Sequence, residues 1–265
     1  MPKINEIDLD NWKNCDVLTD SLWIINNRDN SGKHDGFYHG NFVPQIPRQL
    51  IERYTKTNDV VLDLFAGSGT TNFEAETLKR NCIGVEIQKS LVEFVNKKLD
   101  KDGDNFNFVV CGDSSSADIV KEIKGELKKH NKNYAQLILL HPPYGNIIKF
   151  SDYEKDLSNI NDINNFRKAL TDVINNALEL LENKRYIAIV MGDKYENGQW
   201  IPLGFYCMDD ALKCGLKLKS IIVKNMAGNR AKQNQEGIWR YRALTSDYYI
   251  FKHEYIFLFK KDKRK

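Results

Sequence analysis

The sequence predicts an α/β fold, a mostly parallel sheet covered by helices on both faces. Three observations carry this. Short apolar runs alternate with stretches of helical period, the pattern of repeated strand and helix units. The helical stretches are long enough to act as crossovers between parallel strands. With 265 residues, 42% hydrophobic and 28% charged, the chain can bury a sizeable core and has an ordinary globular composition.

The elements follow in order. Residues 1–46 form a lead-in that carries Trp12, Trp23, Phe37, Tyr38 and Phe42. Strands are expected at 60–65, 82–87, 106–111, 137–140, 186–191, 218–223 and 254–259. Helices are expected between the first five, at 70–80, 89–99, 115–129 and 165–182. The last has the clearest face, with Phe166, Leu170, Val173, Ile174, Ala177, Leu178 and Leu181 on one side. A shorter helix at 208–214 links the fifth and sixth strands. No long helix separates the last two strands, so these are expected to pair antiparallel. A polar loop at 145–164 and a long insertion at 224–252 fall outside the plan, and no internal repeat or low-complexity tract occurs.

Several function classes are disfavoured. No run approaches the roughly 18 apolar residues of a membrane span. The N-terminus has no apolar signal segment, so a cytoplasmic location is expected. The five cysteines, Cys15, Cys82, Cys111, Cys207 and Cys214, form no C-x-x-C pair, so neither a disulfide framework nor a zinc site is expected. Cys111 is expected to be buried rather than catalytic. His34, His130 and His253 lack metal spacing and read as surface or packing residues, so no metal is expected. A net charge of +3 is too small to argue for nucleic acid by itself.

The first strand runs into Asp63-Leu64-Phe65-Ala66-Gly67-Ser68-Gly69-Thr70-Thr71. Glycines there permit a tight turn and close approach of a ligand to the backbone. Free N–H groups at the following helix start favour a carboxylate or a phosphate. A P-loop needs a Lys after its last Gly, and here Thr70 and Thr71 follow. A dinucleotide fingerprint needs a third Gly where Asn72 stands. S-adenosylmethionine remains, with a carboxylate and a ribose but no phosphate. Glu86 ends the second strand, 19 residues past Gly67, where a carboxylate can accept from both ribose hydroxyls. Asp113 ends the third strand, where an acid could accept from the adenine amino group.

The fourth strand ends on His141-Pro142-Pro143-Tyr144. Each proline fixes φ and removes an N–H, which leaves carbonyls free to accept. Tyr144 adds a flat face. A free acceptor beside a stacking platform suits a planar, amino-bearing base.

With these residues the chain resembles the amino-methyltransferases that modify adenine N6 or cytosine N4 in DNA. The loop from Asp63 to Thr71 is similar to their cofactor motif, D-x-F-x-G-S-G-T-T. His141-Pro142-Pro143-Tyr144 is similar to their catalytic motif, (D/N/S)-P-P-Y. The segment His39-Gly40-Asn41-Phe42-Val43-Pro44-Gln45-Ile46-Pro47 resembles the one that helps hold the methionine end, which draws in His39, Phe42 and Pro44. Ile83-Gly84-Val85-Glu86-Ile87 resembles the ribose-binding strand. The resemblance covers roughly residues 37–265, taken as the catalytic domain behind a lead-in at 1–36. It implies a Rossmann-like class I methyltransferase, with a seven-stranded sheet and an antiparallel last strand. It also implies two acceptors for the target amino group, the His141 side chain and the Pro142 carbonyl.

His141 departs from the family, where an oxygen acceptor is usual. Histidine accepts only when neutral. With an unperturbed pKa of about 6.5, an acid limb in kcat is expected between about pH 5.5 and 7.5. If Pro142 alone does this work, His141 is a spacer.

The insertion at 224–252 sets Lys224, Arg230, Lys232, Arg240, Arg242 and Lys252 against Glu236 and Asp247, among Trp239, Tyr241, Tyr248, Tyr249 and Phe251. Cations mixed with aromatics suit phosphates and unstacked bases. Arg230, Lys232, Arg240 and Arg242 are the candidate DNA contacts. No large recognition domain is evident, so an accessory specificity subunit or a paired nuclease is a plausible partner, in a restriction-modification or orphan modification role. Two alternatives stay open: an RNA guanine-N2 methyltransferase, and a catalytically inactive partner subunit of the same fold.

Overall fold

Seven of the strands form where the apolar runs lie. The structure, a computed structural model, describes residues 3–38, 40–226 and 236–262. The element order is β1 (Leu22–Trp23), α1 (Gln45–Tyr54), β2 (Val60–Asp63), α2 (Thr70–Thr77), β3 (Asn81–Glu86), α3 (Lys89–Lys98), β4 (Asn107–Cys111), α4 (Ala117–Lys129), β5 (Ala135–Leu140), α5 (Ile163–Leu180), β6 (Leu181–Met191), β7 (Lys194–Glu196), β8 (Gln199–Ile201), α6 (Leu203–Lys213), β9 (Lys217–Asn225), α7 (Glu236–Leu244) and β10 (His253–Lys260).

Eight strands make one sheet in the order β1-β9-β10-β6-β5-β2-β3-β4. β10 runs antiparallel to both β6 and β9, and the other pairings are parallel. The expected seven-stranded, mostly parallel sheet with an antiparallel last strand is present. It is extended by β1 from the lead-in. Leu22 and Trp23 pair with Val223 and Lys224, and the Ile25 N–H donates to Asn225 Oδ1 at 2.7 Å. Trp23 is buried there.

The two faces of the sheet follow the strand period of two. Leu62, Ile138, Leu140, Ile187, Ile189, Phe257 and Phe259 point to one face, against Phe166, Leu170, Val173 and Ala177 of α5. Val61, Leu137, Leu139, Ala188, Val190, Ile256 and Leu258 point to the other, against Ile46, Leu50 and Ile51 of α1. Nearly every central-strand residue is therefore apolar, which is why these strands read as continuous runs. α4 and α5 begin on side-chain caps. Ser116 accepts from the Asp118 N–H, and Asp162 from the Asn165 N–H.

Some expectations are corrected. Leu181 starts β6 instead of ending the helix. It pairs with Ala135, and Lys184 at φ 67° takes the bend in the strand. Cys111 is exposed, because β4 is the sheet's edge strand. β9 runs through Asn225, so Lys224 lies in the sheet and not in the connection after it. The helix α1, the β7–β8 hairpin and α7 appear where no element was expected. Among the described residues, no helix is long and apolar enough to cross a membrane.

Candidate active site

β2, β3, β4 and β5 are parallel, so their C-terminal ends share one edge of the sheet. Open α/β sheets bind ligands along that edge. Asp63, Glu86, Asp113 and His141 all stand there, at or just past a strand end.

The loop after β2 is closed by its own residues. Buried Asp63 accepts from the Phe65 N–H at 2.9 Å through Oδ1, and from the Thr71 hydroxyl through Oδ2. Both loop ends are thus tied to one carboxylate. Burial pushes its pKa up to about 6, and the two hydrogen bonds pull against that rise. Gly69 sits at φ 87° as the residue before α2, and a Cβ there would meet Val95 Cγ1 at 2.6 Å. Glycine is required at that turn. Gly84 in β3 matters for space: a Cβ there would meet the Ala66 Cβ at 2.8 Å. Ser68, Thr70 and Thr71 are buried behind the loop, and Phe65 packs against the core.

Glu86 takes the Gly67 N–H on Oε2 and the Gln88 N–H on Oε1, each at 2.9 Å. A carboxylate offers about four acceptor sites, so Glu86 keeps capacity for further donors. Its burial raises its pKa. Ile87 follows it, half-buried. Asp113 accepts from the Ser115 N–H and hydroxyl through Oδ1, and Lys155 Nζ lies 3.9 Å from Oδ2. It caps the turn after β4 while one oxygen faces that cation.

The lead-in covers the loop. Asn41 Nδ2 donates to Ser68 Oγ at 2.5 Å. Tyr38 lies beside Gly67, its hydroxyl accepts from Gln88 Nε2 at 3.0 Å, and its ring tilts against Phe150. Pro44 immediately precedes α1, and buried Phe42 lies 4.8 Å from His141, centroid to centroid. His39 falls outside the described residues. Between Asp63 and Thr71 the loop carries one carboxylate, backbone donors and no cation, and Glu86 stands beside it. That donor set fits a ligand with a diol and a carboxylate better than one with phosphates.

The ledge after β5 is held from far away. His141 Nε2 lies 3.2 Å from the Tyr144 hydroxyl, which donates to Glu254 Oε2 at 2.9 Å. Lys224 Nζ donates to Glu254 Oε1 at 2.9 Å, and this pair is buried. The Tyr144 ring presses on Gly192, where a Cβ would come within 2.6 Å of it. Among the described residues, neither His141 Nδ1 nor the Pro142 carbonyl makes a hydrogen bond. The His141 side chain is half-buried by its surface, and loss of water around the ring drives its pKa down to about 4; Glu254 opposes this and Lys224 reinforces it. The acid limb expected between about pH 5.5 and 7.5 from an unperturbed ring is therefore displaced downward. Pro142 is buried, and Pro143 half-buried.

Arg240 and Arg242 are exposed on α7, and the Arg242 guanidinium lies 5.4 Å from the Trp239 ring centroid. Arg230 and Lys232 fall outside the described residues. The β7–β8 hairpin meets the connection after α7 in two aromatic pairs: Tyr195 with Tyr248 at 5.0 Å, and Trp200 with Phe251 at 4.1 Å. Sequence reading did not pick out Lys224, Glu254 or Gly192 for the ledge. Glu254 lies 110 residues from Tyr144, and no local signal joins them. Among the described residues, no cluster of three His, Cys, Asp or Glu side chains is placed to hold a metal.

Comparisons with known proteins bear on this site. The model of a family described as DNA methylase matches residues 3–97 and 135–265. The Type II methyltransferase M.MjaI of Methanocaldococcus jannaschii is 48% identical over 58 residues, 22% of this chain and 19% of that protein. The Type II methyltransferase M.BglI of Bacillus subtilis is 27% identical over 136 residues, 51% of this chain and 35% of its own length. The matches therefore span about a fifth to a third of those relatives. The crystal structure of TrmN from Thermus thermophilus superposes with a TM-score of 0.52 at 17% identity, over 84% of this chain and 50% of that one. That is a likeness of fold.

Proposed function

We propose, since this chain belongs to the DNA methylase family, the amino-methyltransferases of DNA, that it methylates the exocyclic amino group of a base in DNA, adenine N6 or cytosine N4. S-adenosylmethionine is the cofactor of the family, and the loop between β2 and α2 has the residues to hold it. Glu86 would accept from the ribose hydroxyls. The N–H groups opening α2 would face the carboxylate. Asp113 and Ile87 would border the adenine, and His39, Phe42 and Pro44 the methionine end. Bound there, the cofactor supplies a methyl group activated on a sulfonium sulfur.

The observation that carries the reading is the pair of unengaged acceptors on the ledge, His141 Nδ1 and the Pro142 carbonyl. An exocyclic amino nitrogen is a poor nucleophile, because its lone pair is delocalised into the ring. Two fixed acceptors draw its hydrogens out of that conjugation and localise the pair. The nitrogen gains a methyl group and loses one proton, which an imidazole nitrogen can pass to water. Tyr144 and Pro143 would bound the base. A base in a duplex reaches such a ledge only when flipped out. Arg240 and Arg242 would grip phosphates beside the aromatic pairs, and Arg230 and Lys232 remain the further candidate contacts. The setting would be a restriction-modification pair or an orphan modification enzyme, with or without a specificity subunit.

The test incubates the protein with methyl-labelled cofactor and either DNA or RNA, then digests to nucleosides. Label in methyladenine or methylcytosine from DNA is expected. Label in methylguanine from RNA, or cofactor binding without transfer to either polymer, overturns the reading.

A further inference from the structure

We propose that the buried Lys224–Glu254 pair, acting through the Tyr144 hydroxyl, fixes His141 as the tautomer protonated on Nε2 and so makes Nδ1 the acceptor for the target amino group. The proposal rests on the amino-methylation reading above. It makes Lys224 and Glu254 positioning residues for the reaction.

Each proton along this chain of contacts has one place to go. Lys224 and Glu254 sit directly opposite each other on β9 and β10. Nζ and Oε1 are 2.9 Å apart, and both side chains are buried. An ammonium can only donate and an ionised carboxylate can only accept. Glu254 Oε2 must therefore accept from Tyr144, and the 2.9 Å contact spends that hydroxyl's one proton. The Tyr144 oxygen then has only lone pairs to offer His141. A neutral imidazole carries one N–H and one lone pair. The 3.2 Å contact at Nε2 is a hydrogen bond only if Nε2 holds the proton. The partner of one ring nitrogen sets the state of the other, so the lone pair lies on Nδ1. Burial of the ring, which disfavours the cation, keeps it in this single neutral form. The T-shaped contact of His141 with Tyr144 and the tilted contact with Phe42 hold the ring's orientation.

Reversing one link reverses the outcome. In Glu254→Gln, Lys224 still only donates, so the amide oxygen must turn to it. The amide NH2 then faces Tyr144 and donates to its oxygen. The hydroxyl turns and donates to Nε2, which drives the His141 proton onto Nδ1. A donor would now meet the target amino group.

Long-range proton–nitrogen correlation spectra of the ¹⁵N-labelled full chain read the tautomer directly, with the His141 signals assigned by their loss in His141→Asn. The wild type should show only the Nε2–H form, and Glu254→Gln should shift it toward Nδ1–H. Nδ1–H in the wild type overturns the proposal, and so does an unchanged tautomer in a folded Glu254→Gln. The wild-type spectrum needs no activity, so it stands even if the methylation reading fails. With activity in hand, Glu254→Gln should lower kcat roughly 10–100-fold, the scale of lost orienting partners, at unchanged KM for the cofactor. In a His141→Asn background, where the amide oxygen accepts without any tautomer, that loss should vanish. The same loss in both backgrounds makes Glu254 merely structural and overturns the proposal.

Discussion

The two ends of this site are built on different plans. The loop of the cofactor end is closed by its own residues, with Glu86 reaching back 19 residues to Gly67 and Asn41 covering Ser68 from the lead-in. Asp63 reaches Phe65 and Thr71, two and eight residues away, and Glu86 also reaches Gln88. The chemistry end is wired remotely. Tyr144 is held by Glu254, Glu254 by Lys224, and His141 lies against Phe42 from the lead-in. A locally wired loop needs particular residue types in a row, whereas a remotely wired ledge needs the whole sheet assembled before its proton state is defined.

That contrast can be broken with a backbone change at the local end. Gly69→Val should be the most damaging. It forces a branched side chain into φ 87°, with its Cβ 2.6 Å from Val95. The left-handed backbone costs about 1–2 kcal/mol and the overpacking about 1–3 kcal/mol. Cofactor affinity, read by calorimetry, should fall at least about a hundred-fold, and the melting temperature should drop by roughly 5–15 °C. The His141 tautomer should stay as in the wild type wherever the variant is folded. Gly67→Ala should cost less. Its φ is 53°, and the nearest atoms a Cβ would meet belong to the Asn41 and Tyr38 side chains, at 3.2 and 3.3 Å. Equal damage from both would show that local backbone geometry is not what holds this loop.

The same contrast explains what the sequence made legible. The alternation of runs and helices placed the seven main strands along the chain, because buried parallel strands are apolar on both faces. The loop from Asp63 to Thr71 was readable because the residue types it requires stand within nine consecutive residues. α1 was not expected, since prolines at 44 and 47 interrupt the apolar pattern at its start; Pro44 precedes the helix and Pro47 lies in its first turn, where no N–H is needed. Lys224 read as one more loop cation. Its role comes from a register, Glu254↔Lys224, that only the paired strands create. Glu86 was identified by its position, while the crowding that demands Gly84 appears only when β3 passes beneath Ala66.

A smaller effect should come from the connection that carries α7. It joins the strand of Lys224 to the strand of Glu254, so a DNA grip there would stand on the same framework as the ledge. Arg240→Glu with Arg242→Glu should weaken DNA binding roughly ten- to a hundred-fold and lower the salt slope by about two. Fluorescence anisotropy at several salt concentrations measures both. Cofactor affinity should be unchanged, since neither arginine touches the loop. An unaltered slope would remove α7 from the interface and leave the remote end with a chemical role only.

The smallest expected effect discriminates best, because it is nearly no effect at all. An unperturbed histidine with a pKa of about 6.5 would lose about three quarters of its neutral form between about pH 8 and 6, a roughly four-fold fall in activity. Burial places His141 at about 4. The groups facing the ring are Tyr144, Glu254 and Lys224, with Phe42 as a non-titrating neighbour. Glu254 favours the imidazolium, yet burial outweighs it and Lys224 acts in the same direction as burial. The sign is then fixed. The neutral ring accepts and the protonated ring cannot, so activity is present above the folded pKa and lost as pH falls through it. kcat/KM, which reports the free enzyme, should change by less than about two-fold from about pH 8 to 6 and fall only toward about pH 4. In Lys224→Met, Glu254 loses its counter-charge and favours the imidazolium more strongly, so the limb should move up toward neutrality. A four-fold fall already present in the wild type would mean that His141 is open to water, and that the remote wiring of the ledge does not isolate it.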